Sequence, residues 1–308
     1  MPSTAPPRGR ALSTTRSSAS SMTNLSCEEH FDTATMQTAS PDDVDMELVD
    51  EWYSSMLAQE RAQFQYAPQP HYLKVRLILV DWTCDVGEEL ELPKLVVHTA
   101  IHYLDRLLNA PCALPPQSKL QLVCLVCLWI ATKFASVDCE VPTIEEIYAY
   151  GHQQYSVDEI KAYEMAMLKA LQWQLHVLTP IHFTEFYLTS PPLFPDDDIN
   201  GYQLTDPAAY ATVYAKHVEF LTEMCLQEYA FNQWLPSVLA TAMLCVARRI
   251  VHITPVWREE IEMGSGYVVE EIQDCFHAMW SHYLHHFSKG TQDEPSPSSV
   301  AAVAHHHH

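Results

Sequence analysis

At 308 residues the chain is long enough for two domains of ordinary size, each with its own core. Only seven glycines and the absence of long alternating Val/Ile/Thr runs argue against sheet and for helices joined by short connections. A formal charge of −22 makes the surface repel phosphate backbones, so nucleic-acid binding is not expected. All-α is the expected class. No stretch reads as a signal peptide or membrane anchor. The nine cysteines are odd in number and mostly lie inside apolar runs, which suits a reducing compartment. Cys124 and Cys127 form a C-x-x-C, but with no further Cys or His at ligand spacing the pair reads as packing rather than zinc or redox chemistry.

Residues 1–40 are rich in Ser, Thr, Ala and Pro, and cannot bury enough apolar surface to offset their ordering entropy. We expect a disordered tail, mildly basic through Arg8, Arg10 and Arg16, with Ser40-Pro41 at its end as a proline-directed phosphorylation dipeptide or a plain turn. Residues 41–66 should form an N-terminal helix. Asp42, Asp43 and Asp45 lie near its start, and Met46, Val49, Trp52, Tyr53, Met56 and Leu57 recur at helical spacing. Pro68 and Pro70 are expected to end it. Two readings stand for this helix: it docks across another element, or it covers its own domain.

Residues 67–175 should form the first helical unit. One helix covers about Tyr72 to Leu90, Pro93 opens another through Leu108, and a Pro-containing loop leads to a central helix. That stretch, Lys119 to Phe134, has no polar side chain from Leu122 to Ala131. A helix apolar all round must be covered on every side, and the run is too short for a membrane span. Thr143 is the expected cap of a short helix to Tyr150, and Ser156 with Glu159 forms a capping-box pattern before a fifth helix.

Residues 176–288 should form a second unit. A short helix, PIHFTEFYL, precedes an acidic loop from Pro191 to Pro207 containing Asp196, Asp197 and Asp198. A longer helix to Glu228, a second apolar helix from Pro236 to Val251, a short one near Trp257 to Met263 and a last one to Phe287 complete it. Laid without gaps on the first central helix, the second places Val238 on Leu122, Thr241 on Leu125, Leu244 on Leu128, Ala247 on Ala131 and Arg249 on Lys133. Residues 289–308 read as a Ser/Pro-rich disordered tail closed by His305 to His308, an expression tag.

Five helices around a buried third, twice over, resembles the cyclins, and the motifs agree. VRLILVDW resembles the opening of the cyclin box, and YLDRLL, KLQLV, IATKF and YEMAMLKALQWQL follow in the family's order. LQEYAFNQWLPSVL and RRIVHITPVW are most similar to J-type cyclins, whereas VRLILVDW is more similar to A- and B-types. The resemblance implies two tandem cyclin folds, no catalytic activity, no cofactor or metal, and a cyclin-dependent kinase as partner, in nucleus and cytoplasm. It implies an internal ion pair of Arg76 with Asp105, and kinase-binding roles for Lys133 and Glu164. It further implies a substrate-docking patch of Val75, Ile78, Leu79, Trp82, Asp85 and Gln121, suited to a peptide carrying Arg and Leu. Val75 stands where A-type cyclins carry Met, and Ala135 and Ser136 stand where most cyclins carry acidic residues.

From the residues alone, Lys133 also reads as a cation at a helix C-terminus, Glu164 as a surface partner for a lysine, and Ile78, Leu79 and Trp82 as ordinary core. A cyclin-fold scaffold or a transcription-associated protein is the alternative to a kinase activator.

Overall fold

A computed structural model describes residues 46–109, 115–135, 142–150 and 155–287. Both terminal tails, Ser40-Pro41, the Asp42–Asp45 cluster and Ser136 lie outside the described residues. The chain opens with helix α1 (Met46–Gln63). Five helices follow: α2 (Pro70–Glu89), α3 (Lys94–Leu108), α4 (Gln117–Ala135), α5 (Ile144–Tyr150) and α6 (Val157–Ala170). Five more form the second unit: α7 (Pro180–Leu188), α8 (Pro207–Gln227), α9 (Pro236–Ile250), α10 (Glu259–Ser265) and α11 (Val269–Phe287).

Each unit is built round its third helix. In α4 every side chain from Leu122 to Leu128 is buried, as are Ile130, Ala131 and Thr132. By length and composition α4 could cross a bilayer, but here α2, α3, α5 and α6 surround it. Every residue of α9 from Ser237 to Arg248 is buried, between α7, α8 and α11. In the gap-free overlay from Leu122/Val238 to Ala131/Ala247 every pair is buried on both sides except Trp129/Cys245, where Trp129 is half-buried. Truncating a leucine in either core to alanine would cost about 2–5 kcal/mol.

Local chemistry sets the helix ends. Pro70 opens α2 rather than closing α1, because a proline at the first helical position gives up an N–H that has no partner anyway. The Oγ1 of Thr143 accepts from the Glu146 N–H at 3.2 Å, and the Glu146 carboxylate accepts from the Thr143 N–H at 2.6 Å. Ser156 caps α6 by accepting from the Glu159 N–H at 3.2 Å, but the Glu159 carboxylate turns to Lys119 on α4 and does not close the box. Gly87 is where α2 lies closest to α3: a Cβ there would stand 2.5 Å from the Cγ2 of Val97.

Three features depart from the helical reading. The acidic loop contains the two-residue strands β1 (Asp198–Ile199) and β2 (Tyr202–Gln203), which pair with β3 (Ile253–Thr254) in the order β2-β1-β3. A 3-10 turn, Tyr229–Gln233, leads into α9. Helix α1 adds its apolar face to the second unit's core: Met56 joins that core, with Tyr53 and Leu57 against it.

A buried polar network fixes α1 there. The Ser237 N–H donates to Glu60 Oε2 at 2.9 Å, the Ser237 hydroxyl donates to Oε1, and the Tyr267 hydroxyl lies 2.6 Å from Ser237 Oγ. The Tyr53 hydroxyl donates to the Ser265 carbonyl at 2.8 Å. Gln59 and Gln63 reach His176 in the connection between the units.

Candidate functional site

Lys133 sits in the last turn of α4 and Glu164 midway along α6, and the packing of these two helices brings them into contact. The Lys133 ammonium donates to Glu164 Oε1, the Trp129 indole N–H donates to Oε2 at 3.1 Å, and the ammonium lies 4.6 Å from the Trp129 ring centroid. Trp129 and Lys133 are four residues apart, hence on one face of α4. The lysine side chain keeps 37% of its surface and the glutamate 18%. A cation and a carboxylate are thus held in place at the surface with hydrogen-bonding capacity to spare. Phe134 beside them is exposed.

The second set of residues lies on α2. Ile78 is 69% exposed, Val75 and Trp82 are half-buried against the core, and Asp85 is exposed, as is Gln121 on the neighbouring α4. Leu79 differs from the surface role given it by the resemblance: it is buried in the first core and forms the floor beneath the patch. Leu73 and Leu77, one turn apart on α2, are exposed as well, on another face of the helix. Sequence reading passed over them because leucines at helical spacing read as core.

The third set is the pair Arg76–Asp105. The guanidinium binds the carboxylate bidentately, Nε to Oδ1 at 2.8 Å and Nη2 to Oδ2 at 2.9 Å, and the Tyr72 hydroxyl adds 2.6 Å to Oδ1. Both groups are buried. The pair does more than tie α2 to α3: Arg76 also donates to the carbonyls of Leu226 at 2.9 Å and Gln227 at 2.7 Å, at the end of α8. Asn232 donates to Asp105 at 3.3 Å. It therefore clamps the first unit to the second.

A comparable cluster in the second unit had no place in the sequence reading. Asp197, from the acidic loop, is wholly buried and receives Arg248 at 2.5 and 3.0 Å and Arg258 at 2.8 Å. Arg248 also donates to the carbonyls of Pro192 at 2.5 Å and Pro255 at 2.7 Å.

Catalytic chemistry finds no support in these arrangements. Among the described residues no group of three or more His, Cys, Asp or Glu is placed to hold a metal ion. Burial pushes the Cys124 thiol up to about 12 and the Cys127 thiol well above its ordinary value, so both stay protonated and neither is a nucleophile or ready ligand. Burial likewise lowers the His102 and His182 imidazoles to about 4, which keeps them neutral.

Two five-helix units clamped together, with charged and apolar side chains on the first unit's surface, define a tandem helical fold. The chain belongs to the cyclin family: the cyclin N-terminal domain matches residues 51–176 and the cyclin C-terminal domain residues 178–307. Members of that family are regulatory subunits, not enzymes.

A Cyclin-D from Ostreococcus tauri is 30% identical over 227 residues, covering 70% of this chain and 59% of the relative. G2/mitotic-specific cyclin S13-7 from Glycine max is 26% identical, covering 66% and 70% respectively. A Cyclin-J-like protein from Mus musculus is 26% identical, covering 66% and 54%. The chain therefore spans little more than half the length of two of these three, and the narrow spread of identities does not single out one subtype.

In fold, a viral cyclin from herpesvirus saimiri matches 80% of this chain and 99% of its own, with a TM-score of 0.56 at 14% identity. A chain of the CAK complex from Chaetomium thermophilum, solved bound to ATP-gamma-S, matches 80% and 75% with a TM-score of 0.52 at 15% identity.

Proposed function

We propose that this chain is the activating regulatory subunit of a cyclin-dependent Ser/Thr protein kinase, acting in cell-cycle control in nucleus and cytoplasm, with substrates docked on α2. The observation that carries the reading is the surface unit of Lys133, Glu164 and Trp129. The ammonium offers donors and the carboxylate acceptors to backbone groups of a partner, and each charge-assisted bond of this kind contributes about 1.5–3 kcal/mol. Trp129 and Glu164 hold Lys133 in place before the partner arrives, which reduces the entropy lost on binding.

Activation follows from differential affinity. A kinase needs its regulatory helix inward so that the Lys–Glu pair can position ATP, and its activation loop open. A subunit that binds the inward arrangement better than the outward one shifts the population by that difference.

On α2, Ile78 and Trp82 over the Leu79 floor present apolar anchors with the Asp85 carboxylate nearby, which suits a peptide carrying Leu and Arg.

The test is reconstitution with a cyclin-dependent kinase that co-purifies with the tagged chain. The expected outcome is strong stimulation of kinase activity. Ile78→Ala with Trp82→Ala should then weaken phosphorylation of Arg-x-Leu substrates while short generic peptides react as before. Equal loss on both substrates would refute the docking role. A stable complex with proteins other than a kinase would favour the scaffold reading, and retention on DNA the transcription-associated one.

A further inference from the structure

Where the two cyclin folds and α1 meet, the structure encloses a cavity of about 280 Å³. A smaller one of about 40 Å³ adjoins it, and the two share His102, Asp105, Thr179, Pro180, Asn232 and Leu239 in their walls. They lie on either side of these shared residues. The size of the larger is near the lower end for ligand pockets, which run from about 300 to 1,000 Å³.

The lining sorts by chemistry. Phe64, Tyr229 and Trp234 contribute aromatic walls, and Leu239 an apolar floor. At the polar end stand His102, Asn232 and Arg106. The carboxylates around the space are already engaged: Asp105 is bound by Arg76, and Glu60 accepts two hydrogen bonds from Ser237, while Arg106 donates to the carbonyls of Gln174 and Leu171. The Asn232 amide uses its N–H on Asp105 and leaves its carbonyl oxygen as an acceptor. His102 is neutral, so its ring has one donor and one acceptor nitrogen. The inner compartment is also lined by His98, whose Nε2 is buried and without a hydrogen-bond partner among the described residues, 3.7 Å from the Glu223 carboxylate. An unpaired buried donor or acceptor costs free energy that a bound polar group would recover.

We propose that this junction is a binding site for a small, planar heteroaromatic molecule of about two fused rings that carries no positive charge. The rings lie between Trp234 and Phe64, and their polar edge meets His102 and the Asn232 oxygen. A cation is disfavoured because the carboxylates in the walls, Asp105 and Glu60, are already engaged. Because its walls come from α1, α3, the connection between the folds and the turn before α9, an occupant stabilises the present arrangement of the two folds over any other.

The test uses benzimidazole, uncharged at pH 7.5, and the full chain labelled with nitrogen-15. Titration should shift the Trp234 indole N–H resonance, identified by its loss in Trp234→Phe, with saturation at a Kd of about 1 mM for so small a probe. Ala67 lines the mouth and is exposed, so Ala67→Phe fills the entrance without touching the core. Asn232→Leu removes the acceptor. Either variant should weaken binding at least fivefold while retaining the wild-type spectrum elsewhere. Absence of a saturable shift at Trp234 would overturn the proposal. So would a shift that survives Ala67→Phe and Asn232→Leu unchanged, or equal binding of cyclohexylammonium, a cation of similar size.

Discussion

The two folds carry equivalent buried central helices but end them differently. In the first, α4 finishes with Lys133 at the surface, paired to Glu164 and seated over Trp129. In the second, α9 turns one arginine inward and one sideways. Arg248 is fully buried against Asp197 and pins the acidic loop, while Arg249 lies over Trp280 on α11, 4.4 Å from its ring centroid. The same helix end buries no charge in the first fold, whereas in the second it buries Arg248 within the fold and leaves Arg249 exposed, as Lys133 is. A repeated architecture can therefore add an internal ion pair to one copy alone by the placement of one charge.

The two buried Arg–Asp clusters divide in a similar way. Arg76–Asp105 reaches across to α8 and Asn232, whereas Arg248–Asp197 closes a loop within its own unit. Removing one partner of a buried pair strands the other charge and costs about 3–5 kcal/mol. Asp197→Ala, which strands Arg248 and leaves Arg258 with Asp196 and Glu260, is expected to cost that much in denaturant unfolding. Its hydrogen exchange should rise first in β1, β2 and the Pro191–Pro207 loop. Asp105→Ala should cost a similar amount, with faster exchange at the end of α8 and the 3-10 turn. Identical exchange patterns in the two variants would erase the distinction.

A smaller effect comes from the histidines. His102 and His182 are both lowered to about 4, chiefly by burial. The Thr179 N–H donates to His182 Nδ1 at 3.2 Å, a bond open only to the neutral ring. The unfolded chain, with histidines near 6.5, binds protons that the folded chain refuses, so stability is full above that value and falls as pH drops towards 4. About 1–2 kcal/mol per histidine should be lost at pH 5. Glu60 acts in the opposite sense: burial raises its carboxyl, so acidification relieves a penalty. His182→Asn, which keeps an acceptor, should flatten the acid limb of the stability profile between pH 6.5 and 5. An unchanged limb would assign that sensitivity to other groups.

Much of this was legible in the sequence because the signals are local. An all-apolar run between Leu122 and Ala131 has no alternative to burial, and Thr143 and Ser156 announce helix starts through groups three residues away. Pro70 was misassigned because a proline can end one helix or begin the next, and only the spacing of Tyr72 and Arg76 decides. Strands of two residues lie below any detectable period.

Asp197 reads as one of three solvated aspartates; its partner Arg248 is 51 residues distant. A signal for Arg248 did exist. The overlay that puts Arg249 on Lys133 puts Arg248 on Thr132, a position buried in both folds. Leu79 and Ile78 are neighbours on one helix, and apolar character alone does not show which of them faces outward.

The surface assignment of Lys133 and Glu164 is the claim on which the proposed function depends. Lys133→Ala combined with Glu164→Ala should be measured by calorimetric titration of the partner kinase and by thermal unfolding of the free chain. The pair is partly exposed, and the main internal loss is one hydrogen bond from Trp129, so melting should fall by only a few degrees. Kinase affinity should fall by about two orders of magnitude or more, as two charge-assisted hydrogen bonds are removed. Unchanged affinity, or a collapse of the melting transition in the free chain, would contradict the account.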